Sequence, residues 1–405
     1  MRLPLRAWAV AAAAAALTGG AAAQAATDSA ATAALGDLGL AMLRQTTTSN
    51  AVVSPVAVAA ALGMVHAGTQ GAAEREIEAL FGAQQSGPRR LKQRLPALLQ
   101  QLAPAAGAPA SFVMAGRVWM DSEMAAAIPA AYTQRLAQRY QADAARVSFK
   151  DSEATRSQIN SWTADKTAGR IKELMPPGSV SEATQLTLTT AMHFRSPWQR
   201  PFDVARTEPR NFHLAGGQIK PVPTLNDERA VLQAEVNGSQ VLALPFADET
   251  YTLLLAQPAK GRSVAELLQG LSGAELARWQ TALQAQRCAL ALPKFALAPK
   301  AGALRPLLES LGVKTVFTTA ADLRPMLGRQ ARAAHLGEVF HAAGIQIDEQ
   351  GGEAVAAAAA TVQSKSLVMP APACAVDRPF VFVVLHRATG TPLFMGRVGD
   401  PTLNN

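Results

Sequence analysis

The chain has 405 residues, 49% of them hydrophobic and 17% charged, with a formal net charge of +8. Length and apolar content are ample for a sizeable core, and the mild basic excess fits an acidic partner without requiring one. The two cysteines, Cys288 and Cys374, form no C-x-x-C pair and no histidine pair has metal spacing, so neither zinc nor another metal is expected, and no cofactor.

In chain order, Arg2 and Arg6 precede an apolar run from Ala7 to Leu17, followed by small residues at Ala23-Gln24-Ala25. This pattern predicts a secretory signal over residues 1–25. The mature chain, 26–405, is expected to be exported to the periplasm or the extracellular space. Removing Arg2 and Arg6 lowers the formal charge from +8 to +6. No later apolar span reaches membrane length, so no membrane helix is expected. No internal linker or fixed-period repeat appears, which favours one large domain; a monomer is expected.

Helical spacing of apolar residues predicts a helix from Asp28 to about Arg44, a second from Val56 to about Ala67 and a third from Ala72 to Leu80. A short strand, Asn50 to Ser54, precedes Pro55. Arg89, Arg90, Lys92 and Arg94 form a basic cluster with two readings, a sulfated-polysaccharide site or a solvated helix face. No aromatic residues are interleaved there for stacking on bases, which disfavours nucleic acid. Further along, strands are predicted over 111–120 and 184–194, at both sides of Asp248-Glu249, and over 287–295 and 339–347. Phe380–Leu385 and Pro392–Val398 read as a hairpin. Helices are predicted over 128–139, 159–174, 263–283 and 304–311. Long strands with segregated helices indicate an α+β fold.

Enzyme signatures are missing. There is no G-x-S-x-G elbow, no H-E-x-x-H, no glycine-rich phosphate loop and no dinucleotide fingerprint. The stretch Glu349 to Ser366, EQGGEAVAAAAATVQSKS, is the most informative. At strand period, Gly352, Ala354, Ala356, Ala358, Ala360 and Val362 form a small, apolar set. Glu353, Thr361 and Gln363 fall in the other set. Yet alanine favours helix, so two readings stand: an alanine-rich surface helix or linker, and an exposed loop that can later become a strand. Gly351 and Gly352 would hinge such a loop.

Several separated motifs then decide. NAVVSPVAVAAALGMVHAGTQGAAEREI, INSWTADKTAGRIKEL, TLTTAMHFRSPWQRPF, LPKF, ADLRPM, DRPFVFVV and LFMGRV occur in an order that resembles the serpin family across nearly the whole mature chain. EQGGEAVAAAAAT is similar to the hinge of that family's reactive loop. The resemblance implies a serpin fold: three β-sheets, about eight or nine helices and an exposed loop over about 349–366. It implies a serine-protease inhibitor, not an enzyme, that is cut in the loop and then inserts the cut loop into its central sheet. The alternative is a non-inhibitory serpin that binds or carries a ligand. The hinge would be Glu349, Gly351, Gly352, Glu353, Ala354, Ala356, Ala358 and Ala360. Counting along the family's usual loop puts the reactive bond between Lys365 and Ser366, which implies a trypsin-like partner. Ser54, Thr190 and His341 correspond to the latch beneath the central sheet, and Trp198 to its upper end. The family usually has Thr or Ser at Gly352, Asn at Thr190 and Ser at Ala57, so a Thr190–His341 hydrogen bond is expected to compensate. The resemblance also places Cys288 and Cys374 on neighbouring strands, as a disulfide.

Overall fold

In a computed structural model, described for residues 30–81, 91–102, 112–124, 128–247, 249–328, 334–352 and 371–403, nine-, six- and two-stranded sheets combine with helices in an α+β arrangement. Ten α-helices lie among the described residues, the shortest a single turn, Arg324–Leu327. The signal segment, Arg89 and Arg90 lie outside the described residues, as do Glu353, Ala354, Ala356, Ala358, Ala360, Lys365 and Ser366.

The six-stranded sheet is the centre of the molecule. Its strands run in the order Phe295–Leu297, Glu338–Ile347, Leu186–Phe194, Phe112–Asp121, Asp143–Val147, with Gly302–Ala303 also on Glu338–Ile347. Glu338–Ile347 and Leu186–Phe194 are parallel neighbours, in register from Glu338 opposite Thr187 to Gly344 opposite His193. Every other pairing of Glu338–Ile347 is antiparallel.

Beneath this sheet runs the helix Pro55–Ala67. Pro55 suits a first helical position, and the Ser54 hydroxyl caps the helix by accepting the Ala57 N–H at 3.1 Å. Every residue from Pro55 to His66 is buried, which explains why its Ala/Val/Leu sequence has no polar stripe. On the sheet's other face lies the helix Ser152–Lys166. There Trp119, Phe149, Ile159, Ile171, Leu174 and Phe340 form a second core. The Arg117 guanidinium sits over both Trp119 (4.9 Å) and Trp162 (4.4 Å) while pairing with Asp143.

The nine-stranded sheet carries the hairpin Phe380–His386/Thr391–Val398. One of its edges is Ala373–Ala375, parallel to Gln284–Pro293. Cys288 and Cys374 are disulfide-bonded across these two strands, with Cα atoms 5.9 Å apart.

Two predicted helices are corrected. The 159–174 helix begins earlier, at Ser152, where the Asp151 carboxylate caps Ala154 N–H, and ends at Lys166. Ala168 (φ 51°) and Gly169 (φ 77°) turn the chain out. Ile171 and Leu174 kept the apolar spacing because their segment folds back onto the sheet, where Asn160 accepts the N–H groups of Leu174 and Met175. The 263–283 helix is two helices, Val264–Gly270 and Gly273–Ala282. Ser272 restarts the second by capping Glu275 N–H.

Candidate functional site

The site is the place where the chain leaves the central sheet. Past Ile347 the backbone turns tightly, with Asp348 N–H donating to Gly351 O at 3.0 Å and Gln350 N–H to the Asp348 carboxylate at 2.9 Å. Gly351 and Gly352 then pair with Pro197 and Ser196 in a two-stranded ladder. Gly351 sits at φ +130°, and a Cβ there would lie 2.4 Å from the Ser196 carbonyl oxygen. A Cβ on Gly352 would meet the Phe194 ring at 2.8 and 3.0 Å. Both glycines are buried. Gly351 and Gly352 are therefore seated against Ser196 and Phe194, where a side chain would clash.

Trp198 fastens this turn. Its indole N–H donates to Asp348 O, and its backbone N–H to Gln350 O, each at 2.8 Å. Its ring stacks on Phe246 at 4.7 Å and stands edge-on to Phe202. Phe202 N–H donates to Glu349 O at 2.8 Å. The Glu349 carboxylate accepts from Lys294 Nζ at 2.8 and 2.9 Å and from the Thr207 hydroxyl at 2.8 Å. Burial pushes this carboxyl up, but the hydrogen bonds from Lys294, its own backbone and Thr207 outweigh it and hold its pKa below the ordinary value.

Lower in the same seam, Ser54 bridges the two parallel strands. Its N–H donates to His341 Nε2 at 3.0 Å, while its hydroxyl donates to Leu393 O at 2.7 Å and lies 3.0 Å from the Met192 sulfur. His341 stands opposite Thr190 in the register. The expected Thr190–His341 side-chain bond is corrected: the Thr190 hydroxyl donates to Ala57 O at 3.3 Å. Burial of His341 lowers its pKa to about 4, with the Thr190 backbone pulling weakly the other way.

The structure thus brings together Glu349, Gly351, Gly352 and Trp198 at one end of the seam, and Ser54, Thr190 and His341 within it. Sequence reasoning missed Lys294, Thr207 and Phe194. Lys294 lies in the LPKF motif and Phe194 in TLTTAMHFRSPWQRPF, whereas Thr207 lies in neither. Of the basic cluster, Lys92 and Arg94 lie in the helix Leu91–Leu102. Among the described residues, His66, Glu74 and Glu78 could together hold a metal ion, and they lie apart from the hinge.

The profile of the family described as Serpin (serine protease inhibitor) matches residues 33–401. Serpin-Z1C of Triticum aestivum is 30% identical over 371 residues, covering 88% of this chain and 91% of its own. The crystal structure of Manduca sexta serine protease inhibitor (serpin)-12 superposes with a TM-score of 0.80 at 24% identity, over 93% of this chain and 99% of that one. Thyroxine-binding globulin in complex with thyroxine reaches 0.81 at 22% identity, over 92% and 99%.

Proposed function

Since the chain belongs to the serpin family, a family of protease inhibitors rather than enzymes, we propose that it traps trypsin-like serine proteases as a suicide substrate. The observation that carries this reading is the parallel seam between Glu338–Ile347 and Leu186–Phe194, with the hinge at its exit. A strand that turns back at Gly351 and enters the seam runs antiparallel to both neighbours. One parallel ladder is exchanged for two antiparallel ones. The small residues Ala354, Ala356, Ala358 and Ala360 suit such entry.

The protease serine attacks the carbonyl of Lys365, the amine of Ser366 leaves, and an acyl-enzyme forms. Lysine fits a specificity pocket that holds a carboxylate. A strand of about 14 residues spans roughly 46 Å, and each new ladder bond contributes on the order of 1 kcal/mol net. Insertion then draws the tethered protease along the sheet and distorts its active site before water can release it. In this reading the protein is exported, acts as a monomer, and offers Arg89, Arg90, Lys92 and Arg94 to a sulfated polyanion.

The test is to mix the mature protein with trypsin and resolve the products on reducing, denaturing gels. A band that survives boiling is expected at the summed mass of the two chains less the fragment 366–405, which acylation cuts from Lys365 and the reductant releases. Substituting Lys365→Ala is expected to slow its formation by about 100-fold or more, the loss of a buried charge pair. Clean cleavage near Lys365 without that band would reject trapping and favour a ligand-carrying role.

A further inference from the structure

The helices Pro55–Ala67 and Ala72–Leu80 meet at a mixed cluster that takes no part in the hinge. His66, in the last turn of the first helix, is fully buried. Its Nε2 lies 3.0 Å from Glu78 Oε1, and Glu78 is only 5% exposed. Glu74 stands one turn before Glu78 on the same helix face. One ligand atom from each of the three lies within 4.8 Å of the others. Glu76, on another face, serves a different purpose: its carboxylate accepts the N–H groups of Lys314 and Thr315 at 2.8 and 2.7 Å and the Thr315 hydroxyl. The acids at 74 and 78 are therefore turned toward His66, while the one between them holds the neighbouring turn.

We propose that His66, Glu74 and Glu78 form a binding site for a zinc-type divalent cation. Two carboxylates four residues apart on a helix repel each other. Glu78 is buried with the His66 imidazole as its partner at 3.0 Å, and buried charges are paired or coordinate metals. A dication answers both carboxylates at once. Imidazole nitrogen and carboxylate oxygen are both zinc donors, and zinc sites with three protein ligands keep a fourth position for water. Magnesium and calcium favour oxygen-only shells with more ligands. Zinc bonds of about 2.0–2.1 Å in a tetrahedron separate neighbouring ligand atoms by about 3.3 Å. The 3.0 Å edge between His66 and Glu78 is already close to that value. Glu74 is only partly buried, so rotation of its side chain closes the remaining distance and its open side admits the water. The ion would fasten the end of Pro55–Ala67, about 18 Å along the helix from Ser54, to the helix that follows.

The test uses untagged, chelator-treated mature protein, titrated with zinc chloride against a chromophoric chelator and with cobalt chloride followed by visible absorption. The expected result is one equivalent bound with a Kd below about 10 μM and an intense, tetrahedral cobalt spectrum. Glu74→Gln is expected to weaken zinc at least ~10-fold. Glu78→Gln should weaken binding as well. A Kd above about 100 μM, an octahedral cobalt spectrum, or binding that both variants leave unchanged would overturn the proposal.

Discussion

A threonine at position 352 would place its Cβ within 3.0 Å of two carbons of the Phe194 ring. That ring is fully buried and packed against Phe246, Tyr251 and Phe394, so it has little room to yield. Gly352→Thr is expected to cost about 1–3 kcal/mol, lowering the melting temperature by roughly 1–4 °C for a chain of this size. Scanning calorimetry checks it, and an unchanged or raised melting temperature would refute the seating described above. His341 gives a second prediction. Its folded pKa of about 4 lies below the ordinary 6.5, so the unfolded chain binds the proton more readily. The stability it contributes is complete above about pH 6.5 and is lost as pH falls toward 4, by on the order of 3 kcal/mol. Comparing melting temperatures of the natural protein and His341→Gln from pH 7 to pH 4 isolates this term. The natural protein should show the steeper fall, and parallel curves would refute it.

Among the elements, the edge strand Ala373–Ala375 would, in the proposed mechanism, control what an uncut loop can do. For an uncut loop to enter the seam fully, this strand would have to peel away from Gln284–Pro293, and the Cys288–Cys374 bond holds it there. Cys374→Ala is therefore expected to lose inhibitory capacity on warming several-fold faster than the natural protein, measured as residual trypsin inhibition against time, whereas equal rates would show that the strand is held by its ladder alone. The elements also show what the sequence makes legible. The buried helix after Ser54, the hairpin after Phe380 and the glycine pair of the hinge each carry a local signal: a cap, an alternating run, a turn residue. The seat of the hinge carries none, because Trp198 meets Asp348 across 150 residues. The strand Ile219–Val236 is hidden for a related reason. It pairs with Glu208–His213 at one end, Gln284–Pro293 in its middle and Ser239–Pro245 at the other, so no single face alternates along its 18 residues. The metal-type cluster escapes because His66 and Glu74 come together only when two helices pack.

For the molecule as a whole, the proposed insertion implies that the native sheet is not the most stable arrangement of this chain. About ten to fourteen new ladder bonds at ~1 kcal/mol each correspond to a rise in melting temperature of roughly 10–15 °C or more once the loop is cut. Differential scanning calorimetry before and after limited cleavage at Lys365 measures this, and an unchanged transition would mean that the loop does not insert. A cut after Lys365 would leave residues 366–405 as a separate polypeptide that includes Cys374, with Cys288 on the other side of the break. Proteolysis at that bond would thus free no piece. The spent inhibitor, and any protease riding on it, stays one covalent body until a reductant reaches it, so the redox state of its surroundings decides whether the tail is ever shed.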